Sequence, residues 1–122
     1  MNIYTGYYSK MSKYLENNLV PVAISRGIPD FCKDIDRMDS FMPSFQTLID
    51  YKYKKINEKE YTRQYMRDVL YYLNPKDVYH NFEVRYGGKD VILLCYESSE
   101  KFCHRHIISD WFNNAGITVK EF

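Results

Sequence analysis

The chain predicts an α/β fold, a three-layer, Rossmann-like single domain around a mostly parallel sheet of about four strands. Three observations carry this expectation. The run Val91-Ile92-Leu93-Leu94-Cys95 is apolar throughout, which suits a central parallel strand covered on both faces. Segments with helical spacing separate it from other short β-rich runs, and that alternation implies right-handed crossovers. No repeat, linker or low-complexity tract interrupts the 122 residues, so one domain spans 1–122.

The elements follow in order. Met1 to Thr5 is short and rich in β-formers, a first strand, and Gly6 to Lys10 a loop. Met11 to Asn18 suits a short helical turn. Leu19 to Ile24 is a second strand, with Pro21 near its start or on an edge. Gly27 and Pro29 end it. Asp30 to Met42 has no regular pattern. Pro43 stands at a first-turn position for a helix through about Lys54. Asn57 with Glu60 resembles a capping box. The helix it opens is expected through Leu73, with Tyr61, Tyr65, Val69 and Tyr72 on its apolar side. Asn74-Pro75 ends that helix and opens another, Lys76 to Arg85, which Gly87-Gly88 closes. After the Val91 strand, a last helix spans about Cys103 to Asn114, with Ile107, Ile108, Trp111 and Phe112 as its stripe. Gly116 caps it. Ile117 to Phe122 alternates as a final strand.

Composition narrows the function classes. Seventeen basic against sixteen acidic residues leave a net charge of +1, with no long-range pull on nucleic acid or membranes. No apolar run nears the roughly 20 residues of a membrane helix, and no apolar signal core opens the chain. Three cysteines, Cys32, Cys95 and Cys103, lack metal-type C-x-x-C spacing. The expectation is a cytoplasmic protein, of a bacterium or an infected host cell, with free thiols, no metal and no cofactor. The thirteen tyrosines suit either an AT-rich genome or a site rich in stacking rings.

In open α/β folds, ligands bind beyond the carboxyl ends of the strands. Three loops are expected there: Thr5 to Ser9, Ser25 to Pro29, and Tyr96 to Arg105. The last carries Cys103-His104-Arg105-His106 at a helix N-terminus, where backbone donors and the dipole favour anions and thiolates.

Four stretches carry a family likeness: Ile3 to Lys10, Ala23 to Pro29, Gly87 to Glu97, and Phe102 to His106. In this order they resemble the small bacterial and phage branch of the family catalogued as domain of unknown function 488. The resemblance covers nearly the whole chain. It implies an α/β domain whose motifs gather at one rim, and it implies no established reaction.

The candidate chemistry divides several ways. Cys103 is a candidate thiolate nucleophile, or a packed residue that shapes the corner. A phosphatase-like loop needs Cys, five residues, then Arg. Counted from Cys95 that position is Lys101, so the pattern fails. Cys95 and Cys103 are a candidate redox pair across one loop. Zinc could draw on Cys95, Cys103, His104 and His106, although His104 and His106 point to different sides of a helix. Arg105, with Arg26 across the rim and Ser25 beside it, suits a phosphate or carboxylate. Glu97 is a candidate general base, or a partner of Arg105 or Arg26. His104 would orient a polar group, and Tyr7 or Tyr96 would cover a ring.

The leading expectation is a small α/β protein that binds a phosphorylated or nucleotide-like ligand at the rim, with catalytic candidates Glu97, His104 and Cys103. Hydrolysis or group transfer on nucleotides or nucleic acid is the matching reaction class. The alternative is a non-catalytic phage or bacterial interaction protein that sequesters a small signal or binds a host nucleic-acid or defence component.

Overall fold

The computed structural model describes residues 1–98 and 101–122, so Ser99 and Glu100 of the third rim loop lie outside the described residues. Among the described residues there are five strands: β1 Ile3–Tyr7, β2 Val20–Ala23, β3 Asp36–Arg37, β4 Val91–Cys95 and β5 Val119–Glu121. They form one parallel sheet in the order β3-β2-β4-β1-β5. The helices are α1 Met11–Glu16, α2 Phe45–Lys52, α3 Glu58–Asp68, α4 Pro75–Tyr86 and α5 His104–Asn114. The class is α/β as expected, with one strand more than about four. The addition, β3, is two polar residues paired with Val22 and Ala23 in the segment without a pattern. A strand that short offers no alternation to read.

All five residues of β4 are buried, because both faces of the sheet are covered. Val91 and Leu93 join the larger core, with Tyr61 and Tyr65 of α3, Val78 and Phe82 of α4, and Ile108 and Phe112 of α5. Ile92 and Leu94 join a smaller core with Tyr14 of α1, Tyr8, Leu19 and Cys32. Alternation along one strand thus feeds two cores and makes three layers.

Local chemistry sets the helix ends. Ser44 Oγ accepts from Thr47 N at 3.1 Å, so α2 begins after Pro43 rather than on it. Asn57 and Glu60 form the capping box. Asn74 caps α4, whose first residue is Pro75. Helix α3 stops at Asp68, short of the expected Leu73, because Val69 leaves helical geometry and Leu70–Tyr72 tighten into a 3-10 turn. Tyr72 is therefore turned out, 76% exposed, and does not close the apolar stripe. Gly87, at φ 62°, ends α4 in the left-handed region.

Strand β1 runs through Gly6 and Tyr7, past the expected end at Thr5. Gly6 is required there by close packing. A Cβ at Gly6 would lie 2.5 Å from the Tyr14 hydroxyl and 2.9 Å from Ile92 Cδ1. Among the described residues, no helix is long and apolar enough to cross a membrane.

Candidate functional site

Parallel strands bring their carboxyl ends to one rim, and a cavity of about 220 Å³ opens there. The end of β2 supplies Ser25, Arg26 and Gly27, and the end of β4 supplies Cys95, Tyr96 and Glu97. Phe102, Cys103 and His104 line it from the start of α5. Pro43, with Leu48 and Tyr51 of α2 and Tyr61 of α3, closes the remaining wall. Cys95, Cys103 and His104 form its buried end, while Arg26, Tyr96 and Glu97 form its exposed rim. Of the residues singled out in the sequence, Ser25, Arg26, Tyr96, Glu97, Cys103 and His104 meet in this cavity. Tyr7 and Arg105 do not line it.

His104 is 5% exposed, and its Nε2 lies 2.8 Å from the Ile24 carbonyl. A carbonyl only accepts, so Nε2 carries the proton and Nδ1 is left as an acceptor. Nδ1 in turn lies 3.7 Å from Cys103 Sγ. Burial outweighs the Ile24 hydrogen bond and lowers the imidazole pKa to about 4, so His104 is neutral at pH 7.

Arg105 is wholly buried, and protein groups engage its guanidinium on every nitrogen. Nε and NH2 donate to the two carboxylate oxygens of Glu121 at 3.1 and 2.9 Å. NH1 donates to the Glu97 carbonyl at 2.6 Å and to Cys95 Sγ at 3.3 Å. Thr5 Oγ1 adds a hydrogen bond to Glu121 Oε1 at 2.6 Å. Burial alone would raise the Glu121 carboxyl, but the bonds from Arg105 and Thr5 hold it below the ordinary range. The Tyr7 ring lies over this group, its centroid 5.8 Å from Arg105 Cζ, so Tyr7 covers the ion pair and not the cavity. The carboxylate partner of Arg105 is thus Glu121, and of the alternatives for Glu97 the pairing with Arg105 is not formed by its side chain. Glu97 contributes its backbone, and its side chain stays exposed.

The other rim residues sit differently. Arg26 donates from Nε to the Pro43 carbonyl at 2.9 Å and lies 6.0 Å from the Phe45 ring centroid. Among the described residues, its terminal nitrogens have no hydrogen-bond partner. Ser25 Oγ donates to the Gly27 carbonyl at 2.6 Å and lies 2.6 Å from the Tyr8 hydroxyl, which holds the β2 turn. Tyr8 packs edge-on against Tyr96, their centroids 5.1 Å apart.

The expectation of three free thiols needs correction. Cys95 and Cys103 are paired through their sulfurs across the β4–α5 connection, eight positions apart. Cys32 alone is free, and burial pushes its thiol up. The ligand atoms of Cys95, Cys103 and His104 lie within 4.8 Å of one another, a set of zinc-binding chemistry. His106, weighed as a fourth ligand, is not part of it, and its Nε2 is buried without a partner among the described residues. The Arg105 cation on Cys95 Sγ opposes a dication at this set.

A family model described as DUF488-N3a, the active DUF488-N3 subclade, matches residues 16–116. The chain belongs to the DUF488 family. No curated protein and no solved structure matches it. The DUF488 match contains both cavity-forming strand ends and the start of α5, whereas β1 lies before it. Glu121, Tyr51 and Tyr61 were not found from the sequence of this DUF488 chain as site residues. Glu121 was read only as part of the alternating last strand, and Tyr61 as core alone.

Proposed function

We propose that this DUF488 protein binds a phosphorylated or nucleotide-like small molecule in the rim cavity and acts on it by hydrolysis or group transfer. The cavity is the observation that carries the reading. It joins an aromatic wall to one cation with free donors, the pairing that recognises a ring bearing an anionic group. Tyr51, Tyr96 and Phe102 offer the ring surface, Arg26 takes the anion, and Glu97 is the exposed carboxylate available as a base. Neutral His104 fixes the buried end. The description of the matched subclade as active supports a reaction over passive binding. Titration calorimetry against mononucleotides, dinucleotides and a short single-stranded oligonucleotide tests the reading and separates free nucleotide from nucleic acid. Arg26→Ala should weaken the best binder by about tenfold or more. Silence across the whole panel would sink the proposal.

A second reading, a non-catalytic interaction protein, draws on one observation. Tyr71 and Tyr72 are 80% and 76% exposed in an edge-on pair on the 3-10 turn, outside the cavity wall. Alanine at both, with Arg26 intact, would abolish that role and leave ligand binding unchanged.

A further inference from the structure

Ligand binding at Arg26 leaves the sulfur pair at the buried end of the cavity without a role. We propose that Cys95 and Cys103 are a working dithiol that exchanges with small disulfides, Cys95 as the attacking sulfur and Cys103 as the resolving one. This goes beyond the ligand reading and stands without it.

The two sulfurs are already paired, and both line the cavity, so a small molecule that enters reaches them. Their neighbours differ. Cys95 Sγ accepts an N–H of Arg105 NH1 at 3.3 Å, and a guanidinium at that distance favours the thiolate. Glu121 holds the guanidinium through Nε and NH2, which leaves NH1 to bridge the Glu97 carbonyl and the sulfur. Cys103 Sγ lies 3.7 Å from Nδ1 of His104, the acceptor nitrogen, which can take the S–H of Cys103 once the pair is reduced. The two sulfurs thus differ in what they face, a guanidinium donor on one and an imidazole acceptor on the other, an asymmetry that separates an attacking from a resolving thiol. Cys32 lies in the smaller core and provides an internal control.

The chemistry balances. The Cys95 thiolate attacks one sulfur of a small disulfide, that S–S bond breaks, and the first half leaves as a thiolate. Cys103 Sγ then attacks Cys95 Sγ, its proton passing to the second departing half, which leaves as a thiol. The protein dithiol loses two electrons, and the small disulfide gains them.

The test uses the reduced full-length chain with oxidised glutathione, an alkylating quench and peptide mass spectrometry. The wild type should show Cys95 linked to Cys103 while Cys32 keeps its thiol. Cys103→Ser should trap glutathione on Cys95. Cys95→Ser should slow modification at Cys103 by about tenfold or more. Equal labelling of the three cysteines, preferential labelling of Cys103, or no 95–103 linkage would overturn the proposal. So would a stoichiometric metal ion held by these cysteines in the purified protein. The wild-type peptide map needs no variant, so a poorly folding mutant cannot rescue the idea. Nucleotide titration on the same reduced protein keeps the ligand reading separate, since either result can fail alone.

Discussion

Arg105 and Arg26 reach the same rim from different elements, and their surroundings oppose each other. Arg105 is wholly buried, with a bidentate carboxylate, a carbonyl and a sulfur on its guanidinium. Arg26 is exposed, lines the cavity and, among the described residues, is hydrogen-bonded through Nε alone. A saturated guanidinium can place its neighbours and set their charge, but it has little left for an incoming anion. Under the proposals above, the difference gives Arg105 the positioning of Cys95 and Arg26 the recognition. The sequence ranks them the other way, because Arg105 sits in the denser motif.

The comparison breaks most visibly at Glu121. Glu121→Ala leaves the Arg105 charge buried and unpaired, and also strips Thr5 Oγ1 of its acceptor. Removing one partner of a buried pair costs about 3–5 kcal/mol. The Glu121 side chain is 28% accessible, so about 3 kcal/mol, the low end, is expected. Urea unfolding measures it. A loss below about 1 kcal/mol, the range of surface pairs, would show that the corner is not a buried network.

His104 supplies the next largest effect, and pH exposes it. Its folded pKa, about 4, lies below the unfolded value of 6.5. Above pH 6.5 both states are neutral and the group is silent. As pH falls below 6.5 the unfolded chain binds a proton that the folded one refuses, so stability drops until about pH 4. The total is on the order of 3 kcal/mol. Glu121, whose folded pKa lies below 4.5, adds its loss only beneath that value, so above pH 4.5 the His104 part stands alone. Denaturant midpoints between pH 7 and 4.5 read the His104 part. His104→Asn should flatten the slope, and an unchanged slope would remove His104 from the buried end.

How much of this was legible depends on the range over which each feature is encoded. Val91–Cys95 announces itself by composition, and Asn57 with Glu60 announces a helix start within four residues. The cavity was legible as a convergence of loops, since parallel strands place their ends together once the strands are recognised. The Arg105–Glu121 pair was not. It needs β1 beside β5, with Thr5 opposite Glu121 in register, and strand order is a property of the whole chain. The early end of α3 was equally hidden, because Val69 has an apolar residue's proper spacing and only its backbone departs from the helix. The sulfur pair was visible as two cysteines flanking one loop. What sets them apart, the guanidinium on one and the imidazole on the other, is a matter of side-chain aim.

The smallest expected effect sharpens the comparison furthest. Arg26→Ala removes an exposed side chain whose one hydrogen bond among the described residues is to the Pro43 carbonyl and whose ring contact is with exposed Phe45. Exposed cation–π and surface contacts each contribute little, so stability should move by no more than about 0.5 kcal/mol. The same substitution takes the free guanidinium donors from the cavity, so the loss should fall on ligand affinity. Arg26→Lys restores charge without the planar fork, and should recover only part of that affinity if the anion is held through two parallel N–H groups. Unfolding and calorimetry on the same three proteins decide it. Affinity lost with stability kept marks Arg26 as the recognition arginine. A stability loss rivalling that of Glu121→Ala would make both guanidiniums structural and remove the distinction between them.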